Sequence, residues 1–368
     1  MPVLKMSDTH ITSDPYFHFA KPLLNWYQQH GRKDLPWKMP VSPYRVWISE
    51  IMLQQTQVQT VIAYFNRFTE VFPTLASLAL AEEDAVLALW SGLGYYSRAR
   101  NLHKTAKILI EEYQGLFPRD VDSLVSLPGI GRSTAGAILS QAFGLPIPIL
   151  DANVKRVLAR FFLIEGPSDK ALVNRMLWDL AELCMPKTQC ADYTQAIMDL
   201  GATCCTNKNP KCFNCPLQQS CLAFQNKLQH AYPTKKIKKQ VPLLSQQFLV
   251  LINDKGLIYL EKRPPSGVWG GLWCLPALDM ERCPLQCIEE HYSLKGKSAE
   301  SLLEFQHKFS HFHLNIKALS IKISHLGSQL REPSGSWFAL KEIHKLGMAK
   351  PTLKILGSLK AITALELE

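Results

Sequence analysis

Four cysteines, Cys205, Cys212, Cys215 and Cys221, share one short window with the spacing C-x6-C-x2-C-x5-C. Thiolates on so short a loop can wrap a single inorganic centre, either zinc or a four-iron cluster. Zinc ribbons usually pair two C-x2-C knuckles, and here only Cys212 and Cys215 form one, so the spacing favours iron–sulfur and leaves zinc as the alternative. The remaining six cysteines are scattered, which fits a metal centre in a reducing compartment better than a disulfide framework. Lys208 and Lys211 lie between the first two cysteines, where a metal-fixed backbone could offer them to phosphates; a solvated lysine pair is the plain alternative. Two carboxylates are the other candidates for chemistry. Glu50 follows Val46 and Trp47 and precedes Leu53 on one helical face, an apolar setting that should raise its pKa and suit it to general-acid work, or else make it a structural anchor. Asp151 precedes a helix expected to begin near Asn153, so it reads first as an N-cap whose helix terminus keeps it ionised. One protonated and one ionised carboxyl is the pairing that breaks glycosidic bonds.

These residues need elements to hold them. From residue 16 to about 230 apolar positions recur at helical spacing, as in Val58, Val61, Ile62 and Phe65, and again in Val154, Val157, Leu158 and Phe161. Leu127-Pro128-Gly129-Ile130-Gly131 joins a short helix, Val121 to Leu127, to a longer one, Thr134 to Phe143. Both glycines let the backbone turn tightly beside a helix N-terminus, which makes an anion site; a simple helix–helix turn is the alternative. Four lysines between Pro233 and Pro242 mark a linker over residues 231–243, separating a helical domain, 1–230, from an α+β domain, 244–368. In the latter, Phe248 to Ile252 and Leu257 to Glu261 flank a turn and predict a hairpin. Phe312, Leu314 and Ile316 alternate with polar residues, and Leu319, Ile321 and Ile323 do so one residue out of phase, which predicts a bulge. The net charge of +10 suits a polyanionic partner. No apolar stretch resembles a signal peptide or membrane span, so a soluble cytoplasmic protein without membrane contact is expected.

The glycine hairpin, the later cysteine loop and the intervening Leu150-Asp151-Ala152-Asn153-Val154-Lys155-Arg156 occur in an order that resembles the helix-hairpin-helix DNA glycosylases of the endonuclease III superfamily. Trp47-Ile-Ser-Glu50-Ile-Met-Leu-Gln-Gln55-Thr-Gln-Val and Gly92-Leu-Gly-Tyr95-Tyr-Ser-Arg98-Ala-Arg100 are similar to the MutY-type branch. The likeness is strong over residues 16–230 and weaker beyond.

The resemblance implies a multidomain protein: an all-α helix-hairpin-helix glycosylase with one [4Fe-4S] cluster on the 205–221 loop, then an α+β Nudix-like domain. It implies that Glu50 protonates a departing adenine, that Asp151 stabilises the sugar cation, and that Asn153 assists. Gln55 and Tyr95 are then inserted beside the extruded nucleotide, Gly129, Gly131 and Lys155 meet DNA phosphates, and Trp37, Gln195 and Asp199 line the adenine pocket. Arg98, Arg100 and Lys104 are further phosphate candidates. Relatives that also cut the strand carry lysine where this chain has Ser133, so an activity that leaves an abasic site is expected. Trp269-Gly-Gly-Leu-Trp273-Cys-Leu-Pro276 is similar to Nudix hydrolases, but the closely spaced glutamates that hold their magnesium are missing, which implies a noncatalytic module. Phe309, Ser310 and His311 match the loop that reads 8-oxoguanine in the MutY-type branch. The implied partner is duplex DNA with an A:8-oxoG or A:G mispair, bound by a monomer.

Overall fold

The structure is a computed structural model that describes residues 16–234, 241–326 and 335–365. The lysines of the expected linker fall within 235–240, outside the described residues. The helices are α1 (Lys21–His30), α2 (Pro43–Leu53), α3 (Val58–Val71), α4 (Leu75–Ala79), α5 (Glu83–Trp90), α6 (Ser97–Tyr113), α7 (Val121–Ser126), α8 (Arg132–Phe143), α9 (Ala152–Phe161), α10 (Ala171–Cys184), α11 (Cys190–Asp199), α12 (Leu222–Gln225), α13 (Pro284–Tyr292) and α14 (Lys350–Leu365). The strands are β1 (Leu243–Ile252), β2 (Ile258–Lys262), β3 (Trp273–Cys274), β4 (Ala277–Asp279), β5 (Leu294–Gly296), β6 (Glu300–Lys308), β7 (His313–Leu326) and β8 (Gly335–Phe338). A helical region followed by a mixed-sheet α+β region is thus the observed architecture.

By its contacts the chain divides into one unit of Met1–Ala79 with Lys104–Lys238, and another of Leu80–His103 with Lys239–Glu368. Residues 80–103, expected with the helical domain, belong to the second unit because their buried partners lie there. Tyr96 donates its hydroxyl to the Met348 carbonyl at 2.9 Å, and Lys262 pairs with Asp84 at 2.9 Å.

In the first unit, α2 starts where Ser42 accepts the Arg45 N–H and Pro43 takes the first turn. Its fully buried Trp47 and Met52 hold it to the core, and it packs on α8. A second cluster joins Phe19, Leu23 and Tyr27 to Leu158 of α9, Leu177 of α10 and Ile197 of α11. The hairpin between α7 and α8 forms as expected, with one difference. Gly129 has φ +81 and needs to be glycine, whereas Gly131, at φ −93, caps α8 in ordinary extended backbone. Helix α8 accordingly begins at Arg132 rather than Thr134.

In the second unit the sheet order is β3-β2-β1-β7-β5, with β4 on β1, β6 on β7 and β8 on β2. The hairpin of β1 and β2 is present, turned by Asn253, whose Oδ1 accepts the Lys255 and Leu257 N–H groups. The expected bulge in β7 is not there against β1: the parallel register runs unbroken from Leu243↔His313 to Ile252↔Lys322. The phase change arises because the strand is buried on both faces. Leu319, Ile321 and Ile323 join the core beneath α13, while Leu314, Ile316 and Ala318 are buried at the other parity. Irregularities sit instead in the antiparallel pairings, on β6 between Ser301 and Leu303 and opposite β5, where Ser324 of β7 is skipped between Ile323 and His325.

Candidate active site

A cleft of about 660 Å³ in the first unit is lined by Trp37, Glu50, Gln55, Asp151, Asn153 and Gln195, together with Arg32, Ser133 and Thr134. Six residues far apart in sequence are thus brought to one cavity of the size that takes a small ligand. Glu50, near the end of α2, keeps a partly accessible edge toward the cleft. Burial, reinforced by the negative charge of Asp151, pushes its carboxyl up to about 7, against a weak hydrogen bond from Gln141 Nε2 at 3.4 Å.

Asp151 caps α9. Its Oδ1 accepts the Val154 N–H at 2.7 Å and its Oδ2 accepts Asn153 Nδ2 at 3.2 Å. A helix terminus alone would hold this carboxyl low; instead burial outweighs these bonds and raises it above the usual carboxylate range, contrary to the expectation from sequence. The donors nevertheless act on the anion, and Asp151 has two of them where Glu50 has one. Asn153 is itself fixed, its Oδ1 accepting from Arg156 Nη2 at 2.8 Å. Arg156 also donates to the Gly201 carbonyl at 2.6 Å and the Cys205 carbonyl at 2.7 Å. Gly201 must be glycine, since a Cβ there would lie 2.6 Å from Asn153 Cβ.

Trp37 is buried edge-on to Phe65 at 5.5 Å. Gln195, on α11, donates Nε2 to Asp199 Oδ1 at 2.8 Å, and Asp199 is clamped by the Arg32 side chain and backbone N–H. Asp199 therefore stands behind the pocket rather than in it. With its NH2 group committed, Gln195 holds Oε1 as a buried acceptor without a partner. Gln55 is exposed at the end of α2 with φ 58, a left-handed conformation that is strained for a side chain of its type. Ser133 is engaged, its Oγ accepting the Leu150 N–H at 3.1 Å just before Asp151. Lys155 lies on α9 outside the cleft lining, half-buried, while Lys104 is exposed.

A cleft of about 610 Å³ in the second unit brings Tyr95 together with Phe309, Ser310 and His311. Tyr95 is 46% exposed and, like Gln55, left-handed, at φ 50. Phe309 stacks on Phe312 at 4.3 Å, leaving Ser310 and His311 exposed at the loop tip. The two arginines expected at phosphates are spent elsewhere. Arg98 is buried, donates to the Gly94 carbonyl and lies over the Trp90 and Tyr95 rings; Arg100 donates to the Gly270 carbonyl.

Cys205, Cys212, Cys215 and Cys221 line one cavity, and Cys204 joins them, its thiol hydrogen-bonded with the Cys215 thiol. Burial pushes the Cys221 thiol up to about 11 and also raises Cys205 and Cys212. Among the described residues no three His, Cys, Asp or Glu side chains gather as they would around a single metal ion. Four cysteines lining one cavity are a donor set that either a four-iron cluster or a zinc ion could use. Arg160, almost fully buried, donates to Cys205 Sγ at 3.3 Å and to the Thr206, Asn207 and Tyr232 carbonyls. Sequence reasoning missed Arg32, Arg156 and Arg160. The last two carried a signal, being four residues apart on the helix that Asp151 caps.

Residues 48–182 match the HhH-GPD superfamily of base excision DNA repair proteins, and residues 247–358 match the NUDIX domain. A solved structure of a thermostable thymine-DNA glycosylase superposes with a TM-score of 0.52 and 28% identity, covering 58% of this chain and 97% of that one. Fold and cleft together define a helix-hairpin-helix base excision repair protein with an appended Nudix domain. The chain is 43% identical to the adenine DNA glycosylase of Buchnera aphidicola subsp. Schizaphis graminum over 93% of this chain and 99% of that protein. It is 34% identical to that of Rattus norvegicus over 92% and 77%. This chain belongs to the adenine DNA glycosylase family.

Proposed function

We propose that this adenine DNA glycosylase of base excision repair removes adenine paired with 8-oxoguanine or guanine in duplex DNA, by base flipping and hydrolysis of the N-glycosidic bond, and leaves the abasic strand uncut. The observation that carries the reading is the first-unit cleft, where a carboxyl held near pH 7, a second carboxyl fed by backbone and amide donors, and an unpartnered amide oxygen surround one base-sized space.

The extruded base enters beside Trp37. Gln195 Oε1 accepts from the adenine 6-amino group; guanine would set a carbonyl oxygen against it, acceptor against acceptor. Glu50 gives its proton to adenine N7, so the base leaves neutral, and the resulting carboxylate then activates water. As the bond breaks the sugar gains positive charge, and Asp151, held by Val154 and Asn153, supplies the opposing anion. Asn153 and Arg156 position that carboxylate. Gln55 and Tyr95 fill the space left in the duplex, and the Gly129–Gly131 hairpin with Lys155 grips phosphates. Ser133 offers no amine for a Schiff base, which supports release of an abasic site without strand cleavage.

We read the functional domains as 1–230 and 244–368, joined by 231–243, in a monomer, with residues 80–103 belonging to the glycosylase domain by sequence and to the second unit by contacts. Cys205, Cys212, Cys215 and Cys221 would hold one [4Fe-4S] cluster, whose role would be structural closure of the 205–221 loop, on which the exposed Lys208 and Lys211 lie where they could meet DNA phosphates. Chemical analysis of purified protein should find about four iron and four sulfide per chain; one zinc and no sulfide would contradict this. In the second unit, Ser310 reads the N7–H that 8-oxoguanine has and guanine lacks. Ser310→Ala should lower the preference for adenine opposite 8-oxoguanine over adenine opposite guanine about tenfold, the worth of one hydrogen bond, in competition between the two duplexes. An unchanged ratio would remove Ser310 from that role.

The reading as a whole is tested by identifying the released base. Free adenine should appear by chromatography from a duplex with adenine opposite 8-oxoguanine. A released oxidised pyrimidine from a thymine-glycol duplex, with no adenine from the mispair, would replace it with endonuclease III-like chemistry.

A further inference from the structure

Five thiols, not four, line the cavity of the cysteine loop. Four belong to the spaced set, and Cys204 is the fifth. None of the roles assigned to the chain so far uses it. Cys204 closes the π-helical turn Leu200–Cys204 and, with 4% of its surface exposed, lies in the core with Leu200 and Leu217. A free cysteine in such a place is ordinarily a small apolar filler. Two contacts set this one apart. Its thiol is hydrogen-bonded with the Cys215 thiol, and its Sγ donates to the Lys211 carbonyl at 3.4 Å. The backbone braces the same pair of residues, since the Lys211 N–H donates to the Cys204 carbonyl at 2.9 Å.

This closeness to Cys215 bears on coordination. In a four-iron cluster with four cysteines each ligand serves its own iron, so the ligand sulfurs stand at separate corners, held apart by the width of the cluster. Two thiols within hydrogen-bond reach of one another therefore belong to one corner. Cys204 and Cys215 cannot serve two different irons, but either can serve the same one. What an iron requires of the protein is a thiolate at the corner, and Cys204 carries the same group as Cys215 to the same place.

We infer that Cys204 is a reserve ligand of the cluster site, which takes the corner of Cys215 when the Cys215 sulfur is no longer available. In that exchange the Cys204 S–H bond breaks, its proton passes to solvent, and its sulfur forms the bond to iron that Cys215 no longer makes; no electron is transferred. The inference rests on the reading of the 205–221 loop as a cluster site and adds a fifth donor to it.

The test is metal and acid-labile sulfide counted per chain in the full protein purified without oxygen. Cys204→Ala should keep the parent's content, because the reserve is not in use. Cys215→Ala should keep at least about half of the roughly four iron and four sulfide expected of the parent. Cys204→Ala/Cys215→Ala should hold at least about tenfold less than Cys215→Ala. Cys212 has no hydrogen-bonded partner thiol among the described residues, so Cys212→Ala should lose the cluster although Cys204 is present. Cys215→Ser, closer to cysteine in shape, repeats the comparison with and without Cys204→Ala in case the alanine variant does not fold. The inference is overturned if the single Cys215 variants are as empty as the double ones, or if the double variants hold as much metal as the single ones. It is equally overturned if Cys212→Ala keeps its cluster, which would mean that three thiols suffice, or if Cys204→Ala alone empties the site, which would make Cys204 a primary ligand. A parent with one zinc and no sulfide would overturn the cluster reading instead, and the same comparison, in zinc per chain, would still decide Cys204.

Discussion

Glu50→Gln is expected to lower single-turnover adenine excision by about three orders of magnitude, the middle of the range for a lost general acid, with binding to mispaired DNA changed only a few-fold. The amide keeps the shape and the contact with Gln141 but has no proton to give. Because burial holds the parent carboxyl up to about 7, the excision rate of the parent should fall as pH rises through that value. The variant's residual rate should be flat there. Stability falls with rising pH as well, beginning from a lower pH. A carboxyl whose pKa is higher folded than unfolded is harmless below its unfolded value, and the folded state is penalised as pH climbs from that value to the folded one. The penalty at pH 8 is at most about 3 kcal/mol, since a tenfold change in an acid's dissociation constant corresponds to about 1.4 kcal/mol. Glu50→Gln should therefore melt higher than the parent at pH 8 and equal to it at pH 4. A variant that retains excision, or melts lower at pH 8, would remove Glu50 as the buried acid.

Asp151→Asn should cost a comparable factor for a different reason. A carboxylate about 4 Å from a developing unit charge at an effective dielectric of about 20 contributes about 4 kcal/mol, or roughly a thousandfold in rate. Asparagine caps helices as well as aspartate does, so α9 and the bond to the Val154 N–H should survive and thermal stability should hardly change. Asp151→Ala would lose the cap as well, at about 1 kcal/mol. The Asn variant carries a second signature. Asp151 contributes to raising Glu50, so removing its charge should move the alkaline limb of the residual rate to lower pH. Retention of the parent's rate, or an unmoved limb, would mean that the two carboxyls do not act as a pair.

Much of this site was legible in the chain because its chemistry depends on residue types at short spacings. The cysteine window, the cap at Asp151 and the apolar flank of Glu50 are local patterns, and each is found where local physics puts it. What local patterns could not supply was the balance of opposing effects. The helix terminus at Asp151 predicted a low pKa, yet burial, a tertiary property, reversed the direction. Arg98 and Arg100 looked like phosphate ligands because exposure cannot be read from a charge; the structure turns one under Tyr95 and the other onto a carbonyl. The clamp of Arg32 on Asp199 joins residues 167 positions apart, a separation no spacing rule reaches. In the sheet, a phase change in β7 looked like a bulge because one-sided burial was assumed; burial on both faces yields the same pattern with the register intact.

The most direct measurement is single-turnover processing of a labelled duplex holding adenine opposite 8-oxoguanine, with adenine–thymine and thymine-glycol duplexes beside it, each analysed with and without alkali. Strand breaks confined to the 8-oxoguanine duplex and appearing only after alkali are the predicted result. Breaks without alkali, concentrated in the thymine-glycol duplex, would contradict it.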